Sequence, residues 1–236
     1  MQYDEAALQQ VRETRLLIDR CDAWLFETIQ PYLGSRVLEI GCGLGNLTRH
    51  LLDRDLVVGV DIDQRSINFV LDTYGSRKNV EAYSYDASDP AILSLGLGRF
   101  DTVVSLNVFE HIEDDLAALD HVRKLLEPDG RFVLIVPSHM FLYGTMDSSI
   151  GHYRRYDIKC MTEKLNSVGL APIEQRYLNP LGALGWLLNG RVFRRKVPPI
   201  GQLKIFNRIM PLVETAERLI DAPFGLSLLS VSRRVQ

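Results

Sequence analysis

The chain has 236 residues and a mass of 26.8 kDa, with 46% hydrophobic residues, 24% charged residues and a net charge of −3. This length suits one sizeable core, and the balanced charge argues against a disordered tail and against a protein that wraps nucleic acid. The longest apolar run, Phe132 to Val136, is far shorter than the roughly 20 residues that cross a bilayer, and the three cysteines lack CxxC spacing. We therefore expect a protein of the reducing cytoplasm with no signal peptide, no spanning helix and no disulfide framework.

Apolar side chains alternate between helical and strand spacing along the first part of the chain. Residues 4–30 predict one or two helices that end at Pro31. Buried strands are predicted at Val37–Ile40, Leu56–Val60, Val80–Tyr85, Phe100–Leu106 and Arg131–Val136. Helices are predicted after the glycines at 41–45, around Ile67 to Leu71, and from Leu116 to Leu125. Such alternation specifies a doubly wound parallel α/β sheet with right-handed crossovers.

The pattern weakens after Pro137 into a loop rich in Tyr, Gly, His and Arg. A helix is predicted at Ile158–Val168, where Gly169 stops it, and a sixth strand at Pro172–Leu178. Repeated glycines and prolines in residues 180–223 predict short helices between turns, and Leu226–Val231 predicts a closing strand.

Three alternate glycines, Gly41, Gly43 and Gly45, stand where the first strand turns into a helix. Without a Cβ atom the backbone can approach a ligand closely. Asp61 ends the next strand, so its carboxylate is expected at the same edge of the sheet, where it can accept both hydroxyls of a ribose. A dinucleotide-binding protein would have GxGxxG, whereas Asn46 occupies the third glycine position here. Dinucleotide binding is therefore the alternative interpretation.

Five segments in order resemble the class I S-adenosylmethionine-dependent methyltransferases. They are VLEIGCGLGNLT at 37–48, GVDID at 59–63, YDASD at 85–89, FDTVVSLNVFEHI at 100–112 and LLEPDGRFVLIVP at 125–137. The resemblance implies a Rossmann-like, mainly parallel seven-stranded sheet with an antiparallel last strand, and S-adenosylmethionine as the cofactor. It divides a single domain into N-terminal helices at 1–33, a cofactor-binding core at 34–137, and an acceptor-side loop, helical insertion and closing strands at 138–236.

The resemblance also assigns the residues that contact the methyl donor. It places Gly41, Gly43 and Gly45 beneath the methionine and ribose, Glu39 near the amino group, Asp61 and Ile62 at the ribose, Asp86 and Ala87 beside the adenine, and Asn107 at the methionine end. Two of the acidic residues have a simpler structural alternative. Asp86 can form a turn before Ser88, and Asp63 is expected to cap a helix.

Methyl transfer from a sulfonium depends mainly on positioning, and a base is needed only if the acceptor begins protonated, as a hydroxyl does. His111 follows the fourth strand and is a candidate base, with a backbone-bonded histidine at a helix start as the alternative. Related methyltransferases that hold a metal use a Glu-x-x-Glu-His segment. Asn107 replaces the first of those glutamates here, so no metal site is predicted.

A second candidate catalytic pair, Asp147 and His152, lies just before the stretch Tyr153 to Tyr156. The segment GHYRRY resembles one found in many bacterial methyltransferases of glycan, lipid or secondary-metabolite pathways, which implies a small-molecule acceptor. We hypothesise that Asp147 orients His152 while Arg154 or Arg155 contacts an anionic group. The candidate substrate-binding set is Tyr143, Arg154, Arg155, Tyr156 and His139. The alternative is a loop pinned by its own salt bridges.

Charge is divided unevenly along the chain. Residues 1–150 carry 13 basic and 24 acidic side chains, whereas residues 151–236 carry 14 basic and 6 acidic ones. Within the second part, residues 181–206 mix apolar side chains with Arg191, Arg194, Arg195 and Lys196, which is typical of a lid or of peripheral contact with an anionic membrane. Ordinary helices that cap the sheet are the alternative.

The sequence therefore predicts an enzyme that transfers a methyl group from S-adenosylmethionine to a small molecule, most favourably at a hydroxyl oxygen, leaving S-adenosylhomocysteine. Three alternatives stay open: methylation at nitrogen or carbon, a nucleotide-binding oxidoreductase, and a binding module without catalysis. Nucleic acid is disfavoured as a substrate, because the chain has no basic N-terminal arm and no Asn-Pro-Pro-Tyr-type segment after the fourth strand.

Overall fold

The computed structural model describes residues 19–219 and 222–235. Seven strands are present: β1 Arg36–Ile40, β2 Leu56–Asp61, β3 Val80–Ser84, β4 Phe100–Leu106, β5 Leu126–Pro137, β6 Leu170–Leu178 and β7 Ser227–Arg234. They form one sheet in the order β3-β2-β1-β4-β5-β7-β6. Strands β1 to β5 pair in parallel, and β7 lies antiparallel between β5 and β6. The predicted seven-stranded, mainly parallel sheet with an antiparallel last strand is confirmed.

Helices flank the sheet on both faces. They are α1 Asp19–Ile29, α2 Gln64–Tyr74, α3 Asp115–Leu125, α4 Thr145–Ser149, α5 Ile158–Ser167, α6 Pro180–Leu187 and α7 Ile200–Leu219, with a π-helical turn at Leu188–Val192. Short 3₁₀ turns occur at Gln30–Tyr32, Thr48–His50, Pro90–Leu95, Phe109–His111 and Met140–Leu142. The part of the predicted N-terminal helices before Asp19 lies outside the described residues.

The core consists of an apolar layer on each side of the sheet. One layer contains Leu119 of α3 and Met161 of α5, packed against Leu38 and its neighbours in the strands. The other contains Trp24 of α1 and Met210 of α7, packed against the opposite faces of the same strands. Because both faces are covered, the strands are apolar at nearly every position rather than at alternate ones.

The polar residues at the helix ends follow the rules from which the helices were predicted. Asp63 caps α2 by accepting a hydrogen bond from the backbone N–H of Arg65 at 3.1 Å. Asp157 caps α5 in the same way, through the N–H of Cys160 at 2.8 Å. Gly169 follows α5 with a φ of +80°, which a residue with a side chain rarely adopts. The structure therefore confirms Asp63 as an N-cap and Gly169 as the helix stop.

Two expectations about helices are wrong. The segment after the glycine loop forms only the turn Thr48–His50, because β2 starts soon after it and the side-chain amide of Asn79 takes the carbonyls of Leu52 and Arg54.

The second concerns residues 180–223, where only short helices were expected: α6 is short, but the 20-residue α7 follows it, with Pro211 inside it. Apolar packing of α7 against α1 compensates for the backbone hydrogen bond that proline removes. Neither α7 nor any other helix within 19–219 and 222–235 is long and apolar enough to cross a bilayer.

The sheet brings the loops that follow β1 to β5 to one edge. The strand order reverses between β1 and β4, which are hydrogen-bonded neighbours. In open α/β sheets the crevice at such a reversal, beyond the carboxyl ends of the strands, is the usual place for a ligand.

Candidate active site

The glycine loop after β1 faces the acidic residue at the end of β2. The backbone N–H of Gly43 donates to Asp61 Oδ2 at 2.9 Å, and the N–H of Asp63 donates to Asp61 Oδ1 at 2.9 Å. A carboxylate oxygen can accept more than one hydrogen bond, so Asp61 keeps acceptor capacity for a ligand. Ile62, beside it, is largely exposed.

The three glycines of this loop have left-handed backbone conformations, with φ of +81° at Gly41, +51° at Gly43 and +75° at Gly45. A Cβ on Gly41 would lie 2.2 Å from Cγ2 of Val108, in the segment after β4, so the two loops are in close contact. A Cβ on Gly43 would meet nothing within 4 Å. The loop is therefore packed tightly at Gly41 and has open space beside Gly43.

Glu39, on β1 below the loop, has a buried carboxyl group. Thr48 Oγ1 donates to Glu39 Oε2 at 2.6 Å. Burial raises the pKa of Glu39 to about 8; the Thr48 hydrogen bond opposes this rise and the charge of Asp61 adds to it. In the protein without ligand, Glu39 is therefore mainly protonated at neutral pH.

The remaining predicted donor residues lie at the ends of β3 and β4. Asp86 accepts from the N–H and hydroxyl of Ser88 at 2.8 and 2.7 Å, so its carboxylate forms the turn that was the alternative interpretation. Ala87 is buried, and its carbonyl is 2.9 Å from Nδ1 of His121 on α3. Asn107 has a φ of +55° directly after β4, and its N–H donates to the carbonyl of Ile135.

Asp147 and His152, in the segment after β5, form a buried pair. Asp147 Oδ1 is 2.9 Å from His152 Nδ1, and the carboxylate also accepts from Arg155 Nε at 2.7 Å and Trp186 Nε1 at 3.0 Å. Burial alone would raise the pKa of Asp147, but these hydrogen bonds and the charge of Arg155 outweigh burial and lower it. Because an ionised carboxylate can only accept, His152 carries its proton on Nδ1 and turns Nε2 away from Asp147.

His152 Nε2 faces two side chains of the turn after β4. It is 3.8 Å from Glu110 Oε1, and the His152 ring meets the exposed His111 ring edge-on, with centroids 4.7 Å apart. Glu110 itself is only 1% exposed. Glu110, His111 and His152 each offer one ligand atom, and these atoms all lie within 4.8 Å of one another. The two predicted histidines are therefore together, and Glu110 joins them.

The GHYRRY segment is held by the protein's own acidic residues. Arg154 pairs with Asp115 at 2.9 Å, and the buried Arg155 pairs with Asp147 and donates to the carbonyl of Ser138. The Tyr156 hydroxyl donates to Asp115 at 2.8 Å. These pairings match the salt-bridge alternative, and contact of either arginine with an anionic acceptor stays a prediction.

The other two residues of the predicted substrate set differ in their surroundings. The Tyr143 hydroxyl donates to the backbone carbonyl of His152 at 2.8 Å, so it supports that residue's main chain. His139 lies against the Tyr177 ring, with centroids 4.3 Å apart, and its Nε2 is buried without a hydrogen-bond partner. Burial lowers the pKa of His139, which keeps it neutral.

Residues 38–132 match the family described as "Methyltransferase domain". This segment of the chain therefore corresponds to a methyltransferase domain. A relative named ubiquinone biosynthesis O-methyltransferase, from Cereibacter sphaeroides, is 38% identical over 106 residues, which cover 44% of this chain and 41% of that relative. The match thus spans less than half the length of this curated relative.

Two solved structures show the same fold. The S-adenosylmethionine dependent methyltransferase from Mesorhizobium loti has a TM-score of 0.61 at 18% identity, covering 89% of this chain and 96% of that chain. Geranyl diphosphate methyltransferase in complex with SAM has a TM-score of 0.64 at 15% identity, covering 92% of this chain and 85% of that chain.

The cofactor of this methyltransferase domain is S-adenosylmethionine, and the loop around Gly43 fits it. The space beside Gly43 is open where a Cβ would stand, and the Asp61 carboxylate borders it. No side chain therefore fills the space beside Gly43. Glu39 lies near the end of β1, and Asn107 directly follows β4. Both residues therefore lie at the carboxyl edge of the sheet, as the glycine loop does.

The sequence did not single out three residues that contact candidate site residues in the structure: Glu110, His121 and Trp186. Their partners are distant in the chain: Trp186 and Asp147 are 39 positions apart, and His121 and Ala87 are 34 apart. No local pattern in the sequence reports such pairs.

Proposed function

We propose that this protein transfers a methyl group from S-adenosylmethionine to a hydroxyl oxygen of a small-molecule acceptor. The observation that carries the proposal is the imidazole of His152, oriented by Asp147 and buried beside the sheet edge where the glycine loop and Asp61 lie. A hydroxyl begins protonated and needs such a group, whereas an unprotonated amine reacts without one. The Cereibacter sphaeroides relative is named as an O-methyltransferase, which supports oxygen as the acceptor atom.

The donor half of the site is assigned to the loops after β1 to β4. Asp61 would accept the ribose hydroxyls, the Asp86–Ala87 turn would border the adenine, and Asn107 and Glu39 would face the methionine end. S-adenosylmethionine, when bound, supplies an electrophilic methyl group on a sulfonium sulfur. The chain's task is to hold that methyl group in line with the acceptor oxygen, since positioning accounts for most of the rate of such displacements.

The acceptor half of the site supplies an imidazole that can take the proton of the acceptor hydroxyl. In our proposal the acceptor O–H faces Nε2 of His152, with His111 as the second candidate, and the proton leaves for imidazole as oxygen takes the methyl group. Arg155, Trp186 and the backbone N–H of Gly144 hold the Asp147 carboxylate, which keeps the His152 ring in one orientation. Because both arginines of GHYRRY are paired internally, we do not assign the acceptor a negative charge.

The test is a methylation assay with matched acceptors. Phenols and alcohols are offered beside amines of similar shape, and the product's mass and bond connectivity identify the methylated atom. His152→Gln should lower kcat by about 10²–10⁴-fold, because it removes the proton acceptor, with little change in the Kd of S-adenosylmethionine. His50→Gln, outside the site, is the matched control.

If the methyl group is found only on nitrogen or carbon, the proposal of oxygen as the acceptor atom is wrong. Binding of S-adenosylmethionine without turnover on any acceptor would favour the binding module, and binding of NAD in its place would favour the oxidoreductase.

We also propose that residues 181–206 touch an anionic membrane surface. This surface patch presents exposed apolar side chains, among them Val192 and Phe193, 61% and 58% exposed, next to the exposed basic residues 194–196. Apolar insertion together with attraction to anionic lipid is the usual basis of peripheral binding. Thr145 Oγ1 donates to the carbonyls of Gly190 and Arg195, so the patch is tied to the acceptor side of the site.

Co-sedimentation with phosphatidylglycerol vesicles tests the membrane contact. Binding at low salt should weaken at high salt, because salt screens the basic side chains, and Phe193→Ser should reduce it. The matched control is Ile173→Ser on β6, which removes an apolar side chain of similar exposure, 53%, away from the patch. If both variants lose vesicle binding equally, or if the wild type does not bind at low salt, the membrane contact is rejected. The helices of this segment then only cover the sheet.

A further inference from the structure

The geometry points to Tyr156 as a positioning residue for methyl transfer: its hydroxyl joins the segment after β5 to the turn Phe109–His111 after β4. The inference rests on the proposed function in that this turn borders the site, but it does not depend on which acceptor atom is methylated. The Tyr156 hydroxyl lies 2.8 Å from Asp115 Oδ2 and 3.1 Å from the carbonyl oxygen of Phe109. Both of these groups are acceptors, so they share the single hydroxyl proton.

The backbone of Tyr156 is fixed to the end of β5. Its N–H donates to the carbonyl of Pro137 at 2.9 Å, and its carbonyl accepts from the N–H of His139 at 2.8 Å. Tyr156 is only 1% exposed and packs in the apolar layer that contains α3 and α5. A side chain in such a close-packed layer has little freedom to move. The ring therefore fixes the distance between the end of β5 and the loop that follows its neighbour β4.

Asp115, at the start of α3, holds the Tyr156 hydroxyl in place. Asp115 Oδ2 also pairs with Arg154 Nη1 at 2.9 Å, and Oδ1 accepts from Lys164 Nζ of α5 at 2.8 Å. Burial alone would raise the pKa of Asp115, but the hydrogen bonds from Lys164, Tyr156 and Arg154 outweigh burial and lower it. The carboxylate is therefore ionised at neutral pH, and hydrogen bonds to an ionised acceptor are the stronger kind.

Two further hydrogen bonds join the same two segments. The backbone N–H of Tyr153 donates to the carbonyl of Glu110 at 2.8 Å, and Arg154 Nη2 donates to the carbonyl of Glu113 at 2.8 Å. In each of these bonds the donor lies within residues 153–156 and the acceptor within residues 109–115. The second half of the GHYRRY segment is therefore attached along the whole loop that follows β4.

The turn Phe109–His111 needs such support, because it is a single 3₁₀ turn of three residues. Hydrogen bonds in 3₁₀ turns have poorer geometry than those in α-helices. Val108, directly before the turn, lies so close to Gly41 that a Cβ there would be 2.2 Å from Val108 Cγ2. A displacement of the turn would therefore move His111 and disturb the contact with the glycine loop. A misplacement of about 1 Å can cost roughly 100-fold in rate.

Steady-state kinetics of Tyr156→Phe test this role, because the substitution removes the hydroxyl and keeps the buried ring. We expect kcat to fall by about 10–100-fold at saturating donor and acceptor, since the reacting groups are misplaced. The Kd of S-adenosylmethionine should change little, because Asp61 and the glycines are untouched. The matched control is Tyr32→Phe, which removes a hydrogen bond to a carboxylate of β6, Glu174 Oε2 at 2.5 Å. Its kcat should equal that of the wild type.

A second pair of variants separates positioning from a general loss of structure. Arg154→Gln removes the positive charge from Asp115 and should lower kcat, whereas Arg154→Lys keeps that charge and should restore most of the activity. Hydrogen exchange of peptides that cover residues 107–113 should be faster in Tyr156→Phe than in the wild type. Exchange in β1 and β2 should stay unchanged, since a local opening does not involve the whole sheet.

The outcomes for Tyr156 and for the proposed function are distinct. An unchanged kcat in Tyr156→Phe, while the wild type methylates a hydroxyl acceptor, overturns the role of Tyr156 and leaves the proposed function intact. An equal fall of kcat in Tyr32→Phe also overturns this role, and so does an Arg154→Lys variant that is no more active than Arg154→Gln. If the wild type methylates only nitrogen or carbon, the proposed acceptor atom is wrong, yet the expected fall of kcat with that acceptor still supports Tyr156.

Discussion

Gly41 and Gly43 have similar backbone conformations, but their surroundings differ. A Cβ on Gly41 would overlap Val108, and a Cβ on Gly43 would enter open space. Both substitutions carry the cost of a left-handed conformation, on the order of 1–2 kcal/mol. Only Gly41 adds a steric clash inside the protein, so the two positions separate stability from ligand binding.

Gly41→Ala should destabilise the protein by clearly more than Gly43→Ala, because Val108 must move. Gly43→Ala should instead weaken S-adenosylmethionine binding more than it lowers stability, since its methyl group occupies the crevice. Urea denaturation and calorimetric titration of both variants measure the two effects. Equal loss of stability, with unchanged donor affinity in Gly43→Ala, would show that the ligand does not lie against Gly43.

Glu39 makes stability depend on pH. Its folded-state pKa of about 8 lies above the ordinary 4.5, because it is buried and because the charge of Asp61 is near. The unfolded chain ionises Glu39 at lower pH than the folded protein does. Its contribution to the free energy of unfolding is therefore complete below about pH 4.5 and is lost as pH rises toward about 8.

The stability difference between the wild type and Glu39→Gln should accordingly fall by on the order of a few kcal/mol over this range. The amide that replaces the carboxyl group does not titrate, yet its carbonyl can still accept from Thr48. Urea denaturation of both proteins at several pH values gives this difference. A difference that stays constant with pH would contradict a raised pKa.

At the scale of elements, helix α3 supports the loop that follows β3. His121, on the buried face of α3, reaches the carbonyl of Ala87, in the loop assigned to adenine. The strand β3 and the helix α3 are separate in the chain, so this contact fixes the distance between two elements. A buried carbonyl that loses its donor costs about 1–3 kcal/mol.

His121→Leu should raise the Kd of S-adenosylmethionine by about tenfold, equivalent to about 1.4 kcal/mol, while kcat at saturating donor changes little. His121→Gln keeps a donor of similar reach and should restore most of the affinity. Kinetics at varied donor concentration, beside thermal melts of each variant, separate the binding effect from a general loss of stability. A fall in kcat alone would place His121 outside donor binding.

The elements that sequence patterns predicted well are those whose neighbours lie on both sides of the sheet. Strands such as Val37–Ile40 and Phe100–Leu106 are apolar because each contacts two layers of the core. A continuous apolar run can be recognised from the local sequence. Two predictions failed because distant contacts decided the outcome. After the glycine loop, Asn79 binds the Leu52 carbonyl, and only a short turn forms in place of the expected helix. Packing against α1 lets α7 continue through Pro211, where only short helices were expected.

For the whole molecule, binding of the donor should stabilise the fold. A ligand present at about 100 times its Kd adds about 2.7 kcal/mol, which for a protein of this size raises Tm by roughly 5–10 °C. S-adenosylmethionine and S-adenosylhomocysteine should both produce this shift, and NAD should not. Asp61→Asn should reduce the shift, because the neutral amide is a weaker acceptor for ribose hydroxyls. A shift with NAD alone would favour the oxidoreductase.

The amino-acid sequence by itself determined the succession of strands along the cofactor-binding core, the positions of the glycines and Asp61, and the pairing of Asp147 with the nearby His152. These features are local, because the spacing of hydrophobic residues, the turn residues and the strand ends each depend on a short stretch of sequence. Only the tertiary structure decided that Arg154 and Arg155 are occupied by acidic partners, that Glu110 joins the two histidines, and that Trp186 reaches Asp147. Several of these contacts join residues far apart in the chain, such as Trp186 with Asp147 and Arg154 with Asp115, and their geometry depends on how the layers pack.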